Sequence, residues 1–122
     1  MSKIVVVDDD ENILEVYKDE IRIFFDSIDD FYFSSSTEAL SFIKENQDVK
    51  LVITDGRMPE LDGFELSKLV REINKDIKII MVSGHFDFKE SEEEIKQTLD
   101  DFIEKPVDFD EFQKLIKKNL DN

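Results

Sequence analysis

Acidic side chains stand directly behind two apolar, strand-like stretches of this sequence. Asp8 and Asp9 follow the run IVVV, and Asp55 follows the run LVIT. Carboxylates that are brought together repel one another, which raises their pKa values unless a cation lies between them. Oxygen ligands in an open site with room for water and a phosphate are the preference of Mg²⁺. If the two stretches end at the same place in the fold, the pattern predicts a magnesium site.

A hydroxyl and an amine occupy the same kind of position further along the chain. Ser83 follows the run IKIIMV, and Lys105 follows DFIE. A lysine opposite carboxylates supplies a compact positive charge for a phosphoryl oxygen, and a serine hydroxyl supplies a neutral donor. A carboxylate beside a divalent cation and a lysine is an apt nucleophile toward a phosphoryl group. Asp55 is the candidate for that role, because Gly56 and Gly63 allow the backbone to approach it closely.

The elements that must position these side chains alternate between strand-like and helix-like patterns. Apolar spacing predicts strands at residues 4–7, 31–34, 51–54, 77–82 and 101–104, and helices at residues 13–24, 35–46, 64–73, 91–99 and 109–120. Five βα units with short connections imply parallel strands, because the crossovers between parallel strands are right-handed and contain helices. We therefore expect an α/β fold with a parallel sheet and helices on both faces. Ligands of such sheets lie beyond the carboxyl ends of the strands. The carboxylates, Ser83 and Lys105 are therefore expected at one edge.

Length, charge and cysteine content limit the classes of function. The chain has 122 residues, of which 31 are Asp or Glu and 16 are Lys or Arg, and its net charge is −15. This charge argues against binding nucleic acid or an anionic membrane. The absence of cysteine excludes disulfides and thiolate metal sites and fits a reducing compartment. We expect one cytoplasmic domain over residues 1–122.

Four motifs, in order along the whole chain, resemble the receiver domain of bacterial two-component response regulators. VVVDDDEN resembles the acidic pair that ends the first strand of that family, and DGRMPELDG is similar to its phosphoacceptor loop. MVSG resembles its Ser/Thr position, and DDFIEKP its aromatic-x-x-Lys-Pro end. The resemblance implies a flavodoxin-like strand order of 2-1-3-4-5. It also implies a phosphorylation-controlled signalling module that is not an enzyme, although it assists its own aspartyl phosphorylation and dephosphorylation.

The resemblance also implies a role for each matching residue. Asp55 would accept the phosphoryl group, Lys105 would pair with it and Ser83 would hydrogen-bond it. Phe102 would be the aromatic residue whose rotamer changes on activation. The Lys105–Pro106 bond would be cis, as is common in this family.

The resemblance likewise implies a magnesium cofactor and two kinds of partner. Asp9 would bind Mg²⁺ directly together with Asp55, Asp8 would act mostly through water, and Arg57 would contribute its backbone carbonyl. The phosphoryl donor would be a sensor histidine kinase or a histidine phosphotransfer protein. The recipient of the signal would be a downstream protein or a fused output domain.

Other classes of function fit the residues less well. A phosphohydrolase of the haloacid-dehalogenase type would carry a second aspartate two residues after Asp55, where Arg57 stands. A degenerate receiver would bind partners without phosphorylation. The sequence disfavours this class because it retains all the polar residues of the motifs, namely Asp8, Asp9, Asp55, Ser83 and Lys105. A flavin site would need a Ser/Thr-Gly-rich phosphate loop where three aspartates follow the first strand. The signalling module is the favoured interpretation.

Local expectations concern residues near the predicted site. Asp10 is expected to cap the first helix rather than bind metal, and Asp62 to be a turn or cap residue. Thr98 and Leu99 stand where many members of the family have Gly-Ala, so the fourth helix is expected to end or pack differently. His85, two residues after Ser83, is either incidental or a residue that tunes dephosphorylation.

Overall fold

The computed structural model describes residues 2–84 and 89–121, and in these ranges strands and helices alternate strictly. The strands are β1 (Ser2–Val7), β2 (Ile28–Phe33), β3 (Val49–Asp55), β4 (Lys78–Ser83) and β5 (Asp101–Glu104). The helices are α1 (Glu11–Phe24), α2 (Ser36–Glu45), α3 (Gly63–Ile73), α4 (Glu92–Thr98) and α5 (Phe109–Asp121). All strand pairs are parallel, in the order β2-β1-β3-β4-β5. The predicted fold class and strand order are confirmed.

The sheet is buried on both faces by two separate apolar clusters. In β1, Val5 and Val7 lie in the cluster that also holds residues of α2 and α3, such as Ile43. Ile4 and Val6 point to the opposite face, into a cluster that holds residues of α1 and α5. Because strands in the middle of such a sheet meet apolar groups on both sides, their sequences are mostly apolar rather than alternating.

Side-chain caps fix where the helices begin. The Asp10 carboxylate accepts hydrogen bonds from the backbone N–H groups of Asn12 and Ile13, at the start of α1. Asp62 and Glu65 form a reciprocal capping box at the start of α3. Such caps satisfy N–H groups that have no partner inside the helix. The expectations that Asp10 and Asp62 act as caps are confirmed.

The second strand begins earlier than the sequence predicted. It was expected at residues 31–34, but it spans Ile28–Phe33 and pairs with β1 from Ser2 onward. The prediction failed because two aspartates stand at the start of the strand. This is an edge strand, where Asp30 can keep its charge by pairing with Arg22 at 2.9 Å.

The corner after α4 is packed rather than open. Thr98 and Leu99 are both buried, and Leu99 joins the cluster on the α2–α3 face. The Arg71 guanidinium of α3 donates to the Thr98 carbonyl at 2.9 Å and pairs with Asp100. Asp100 also accepts a hydrogen bond of 2.8 Å from the backbone N–H of Ile79. These contacts fasten the end of α4 to α3 and to the start of β4.

Candidate functional site

The polar residues predicted from the sequence gather at the carboxyl edge of the sheet. Asp55 ends β3 and Ser83 ends β4, while Asp8 follows β1 and Lys105 follows β5. The parallel register places Val7 beside Thr54 and Ser83 beside Glu104. Strand ends from distant parts of the chain therefore lie side by side, as expected at the ligand-binding edge of an open parallel sheet.

Three carboxylates form the acidic part of this edge. Asp8, Asp9 and Asp55 each offer an oxygen atom, and these atoms all lie within 4.8 Å of one another. The Asp8 side chain is buried, and its Oδ1 accepts from the backbone N–H of Asp10 at 2.9 Å. Its Oδ2 is buried without a hydrogen-bond partner among the described residues. A buried polar atom of this kind needs a partner, and beside two further carboxylates a divalent cation would satisfy it.

Burial has a strong effect on the charge of Asp8. It raises the pKa of the carboxyl group from 3.8 to about 6, and the negative charge of Asp55 adds to the increase. The Asp10 N–H and the positive charge of Lys105 act in the opposite direction. The surroundings of Asp8 therefore destabilise its ionised form. A bound cation would offset this destabilisation.

Lys105 lies against the candidate nucleophile. Its Nζ donates to Oδ1 of Asp55 at 3.0 Å and stands 4.0 Å from Oδ2 of Asp8. The same Asp55 oxygen accepts a hydrogen bond of 2.9 Å from the backbone N–H of Gly56. Two donors on Oδ1 fix the orientation of the Asp55 carboxylate. The Lys105–Pro106 bond is cis, which confirms that expectation.

Two glycines are required by close contacts around Asp55 rather than by an unusual backbone angle. A Cβ on Gly63 would lie 2.1 Å from the carbonyl oxygen of Asp55. A Cβ on Gly56 would lie 2.6 Å from Oγ of Ser83. No glycine in the described part of the chain has a positive φ. The spacing of glycines after Asp55 therefore reflects the close approach of the loop and the start of α3 to the strand ends.

The remaining predicted residues are placed as follows. Ser83 is buried at the end of β4, and its backbone carbonyl accepts from the Lys105 N–H at 3.1 Å. Phe102 is partly buried against the α2–α3 cluster and lies opposite Met81 in the strand register. Arg57 is exposed in the loop that follows β3. His85 lies outside the described residues, so its predicted role stays a prediction.

Sequence reasoning missed the part played by the polar residues after β2. The sequence pattern gave them no role at the site, but Ser36 and Thr37 join the start of α2 to Pro59 and Glu60 in the loop after β3. The run SSST, which spans the start of α2, was the available signal, because such hydroxyls readily form hydrogen bonds with the backbone. The loop they contact is more than twenty residues away in sequence, so no local pattern reveals the pairing.

Comparison with known proteins was consistent in sequence and in structure. Residues 4–117 match the family described as the response regulator receiver domain. The chain is 34% identical over 121 residues to the heme response regulator HssR of Staphylococcus saprophyticus, covering 98% of this chain and 52% of that protein. It is 35% identical over 107 residues to a chemotaxis protein CheY homolog of Campylobacter jejuni, covering 85% and 81%.

Solved structures give the same result. A receiver domain protein from Clostridium thermocellum superposes with a TM-score of 0.88 at 30% identity, covering 99% of this chain and 95% of that one. The chain spans about half the length of HssR and of the response regulator TodT of Pseudomonas putida. Within the described ranges, each helix is too short or too polar to cross a bilayer. From its sequence match and its fold, the chain belongs to the response regulator receiver domain family of two-component systems.

Proposed function

We propose that this domain accepts a phosphoryl group on Asp55 from a phosphohistidine and switches a partner-binding surface in response. The observation that carries the proposal is the contact of 3.0 Å between Lys105 Nζ and Oδ1 of Asp55, beside the three-carboxylate cluster. The donor is a sensor histidine kinase or a histidine phosphotransfer protein. Family membership supports this assignment, since such regulators are the receiving half of a two-component system.

The chemistry is a displacement at phosphorus. A carboxylate oxygen of Asp55 forms a bond to phosphorus while the bond from phosphorus to the donor histidine nitrogen breaks, leaving an aspartyl phosphate and a free imidazole. Lys105 pairs with the negatively charged phosphoryl oxygens, and the Ser83 hydroxyl donates a hydrogen bond to one of them. The phosphoryl group stays on the protein's own side chain, so the domain acts as a switch and not as an enzyme with a separate substrate.

The cluster fits a bound Mg²⁺. Asp9 and Asp55 would supply carboxylate oxygens to the ion directly, Asp8 would act mostly through water, and the backbone carbonyl of Arg57 would supply a neutral oxygen. Among the described residues, Oδ2 of Asp8 has no hydrogen-bond partner, and this supports the assignment, because a cation or a water bound to it would give that buried atom a partner. When bound, Mg²⁺ neutralises charge on the phosphoryl oxygens.

The response is proposed to run from Ser83 to Phe102. A phosphoryl group adds negative charge and acceptor oxygens at Asp55. If Ser83 moves inward to donate to it, space opens behind β4 that the Phe102 ring can enter. The adjacency of β4 and β5 in the sheet supports this route. Packed side chains exchange between discrete arrangements, which makes such a pair a workable switch.

The output belongs to a partner protein or to a fused domain. The relatives HssR and TodT are about twice as long as this chain, which supports an output domain as one arrangement. The net charge of −15 disfavours nucleic acid as a direct ligand of the domain. We place the domain, residues 1–122, in the cytoplasm, where histidine kinases present their phosphohistidine.

Intact-mass spectrometry with a small phosphodonor tests the proposal. With acetyl phosphate and Mg²⁺, the protein should gain the mass of one phosphoryl group, and Asp55→Asn should gain none. Asp62→Asn is the matched control, since asparagine also caps helices and Asp62 lies outside the carboxylate cluster. Equal phosphoryl gain by Asp55→Asn and the unaltered protein would exclude Asp55 as the acceptor.

A further inference from the structure

The loop between β3 and α3, residues 56–62, has to hold the backbone of Arg57 in place if that residue is to serve the metal. The start of the loop is fixed to the sheet, because the Gly56 N–H donates to the Val82 carbonyl at 3.1 Å. Its two ends are joined by a hydrogen bond of 2.9 Å from the Gly63 N–H to the Gly56 carbonyl. These bonds leave the middle of the loop to be held by some other element.

That element is the N-terminus of α2, through Ser36. Ser36 is only 1% exposed, and its hydroxyl donates to the Pro59 carbonyl at 3.1 Å. The same oxygen accepts a hydrogen bond of 3.1 Å from the Leu61 N–H. One hydroxyl therefore satisfies backbone groups on both sides of Glu60. Since the serine is buried, no solvent molecule can readily replace it.

Glu60 is held by the neighbours of Ser36. Its φ angle is 70°, in the left-handed region that side chains other than glycine adopt only at a cost. Its carboxylate accepts from the Ser35 hydroxyl at 3.3 Å and from the Thr37 hydroxyl at 3.2 Å. Ser35 is also the N-cap of α2, so the negative charge of Glu60 lies near the positive end of that helix. These bonds compensate for the unfavourable backbone of Glu60.

We propose that the N-terminus of α2 is a positioning element for the phosphoryl site, in which Ser36 and Glu60 hold the loop that carries Arg57. Arg57 lies between Gly56, which is bonded to β4, and Pro59, which is bonded to Ser36. Because the backbone is hydrogen-bonded on both sides of Arg57, the carbonyl group of Arg57 has little freedom to move. The role in metal binding rests on the proposed function. Partners that hold a ligand in place have a large effect on metal affinity.

Glu60→Gly separates positioning from folding. Glycine adopts a φ of 70° without strain, so the variant should unfold at or above the denaturant midpoint of the unaltered protein. It loses both hydroxyl contacts, so its Kd for Mg²⁺ in titration calorimetry should rise about tenfold. Glu60→Gln keeps an oxygen acceptor and should keep most of the affinity. If Glu60 had only a structural role, Glu60→Gly would lower the stability of the protein and its affinity for Mg²⁺ together.

Ser36→Ala gives an independent second test, with Ser41→Ala, an exposed serine of the same helix, as the matched control. Ser36→Ala should weaken Mg²⁺ binding and slow phosphorylation by acetyl phosphate, while Ser41→Ala should change neither. Wild-type Mg²⁺ affinity in both Glu60→Gly and Ser36→Ala would overturn the proposal. So would an unaltered protein that does not bind Mg²⁺ at all. If the unaltered protein binds Mg²⁺ but is not phosphorylated, the proposed function fails, while the affinities still decide the role of α2.

Discussion

Replacing Asp8 with asparagine should make the metal-free protein more stable near neutral pH. Asp8 is 1% exposed, and the Oδ2 atom of its carboxyl group has no hydrogen-bond partner among the described residues. Its pKa of about 6 in the folded protein lies above the ordinary value of 3.8. The folded protein therefore binds a proton at this site more tightly than the unfolded chain does. Asparagine keeps an oxygen for the Asp10 N–H and removes the buried charge.

The sign and size of the effect follow from the pKa difference. Below the unfolded value of 3.8 the group is protonated in both states and costs nothing. As the pH rises from 3.8 toward 6, the unfolded chain loses this proton while the folded protein still holds it, so folding must take up a proton that becomes scarcer, and the free energy of unfolding falls. The difference of about 2 pKa units corresponds to at most about 3 kcal/mol. The free energy of unfolding of Asp8→Asn should exceed that of the unaltered protein by up to that amount at about pH 7.5, and by about half of it at about pH 5.

Urea unfolding in EDTA at the two pH values measures the gain. Asp9→Asn is the control, because Asp9 carries the same charge in the same cluster but is exposed. It should gain much less than Asp8→Asn. Added Mg²⁺ should shrink the advantage of Asp8→Asn over the unaltered protein, because the ion binds best to the protein that keeps all three carboxylates. Burial of the Asp8 charge would not be the cause if Asp8→Asn were no more stable than Asp9→Asn at neutral pH, or if its advantage did not shrink in acid.

Three further substitutions give separate tests. Lys105→Ala should retain Mg²⁺ binding but slow phosphorylation, because the charge at 3.0 Å from Asp55 is lost; calorimetry and intact-mass kinetics check both, and an unchanged rate would contradict it. Gly63→Ala should lower the free energy of unfolding by about 3 kcal/mol, since its Cβ would meet the Asp55 carbonyl oxygen at 2.1 Å; urea unfolding measures this, and wild-type stability would contradict it. Ser83→Ala should leave Asp55 phosphorylatable but weaken the NMR shift of Phe102 on addition of beryllofluoride; an undiminished shift would contradict the proposed route.

The fold was predictable because its strands are buried on both faces. Apolar runs rich in β-branched residues at β1, β3 and β4 identify strands directly, and the helices between them require a parallel sheet. The start of β2 was not predictable in this way. Asp29 and Asp30 look like turn residues, and only the pairing with β1 and the ion pair with Arg22 make them part of a strand.

The site was predictable to the extent that it lies at strand ends. Parallel strands bring their carboxyl ends to one edge, so Asp55, Ser83 and Lys105 could be placed together from sequence alone. The different burial of Asp8 and Asp9 could not, because neighbours in sequence carry the same side chain.

The contact between α2 and the loop after β3 was beyond sequence reasoning for a different reason. It depends on the backbone angle of Glu60 and on a hydroxyl of Ser36 that meets Pro59 through the tertiary fold. Neither property follows from residue types or from periodicity. Such contacts are found only when the distances between separate elements are known.

Borohydride trapping of the phosphorylated protein tests the central claim most directly. The protein is incubated with acetyl phosphate and Mg²⁺, treated with borohydride, which reduces an aspartyl phosphate to homoserine, and digested for tandem mass spectrometry. Homoserine is expected at position 55, and none is expected when the phosphodonor is omitted. Homoserine at Asp8 or Asp9 in its place, or no homoserine in a protein that has gained a phosphoryl group, would contradict the claim.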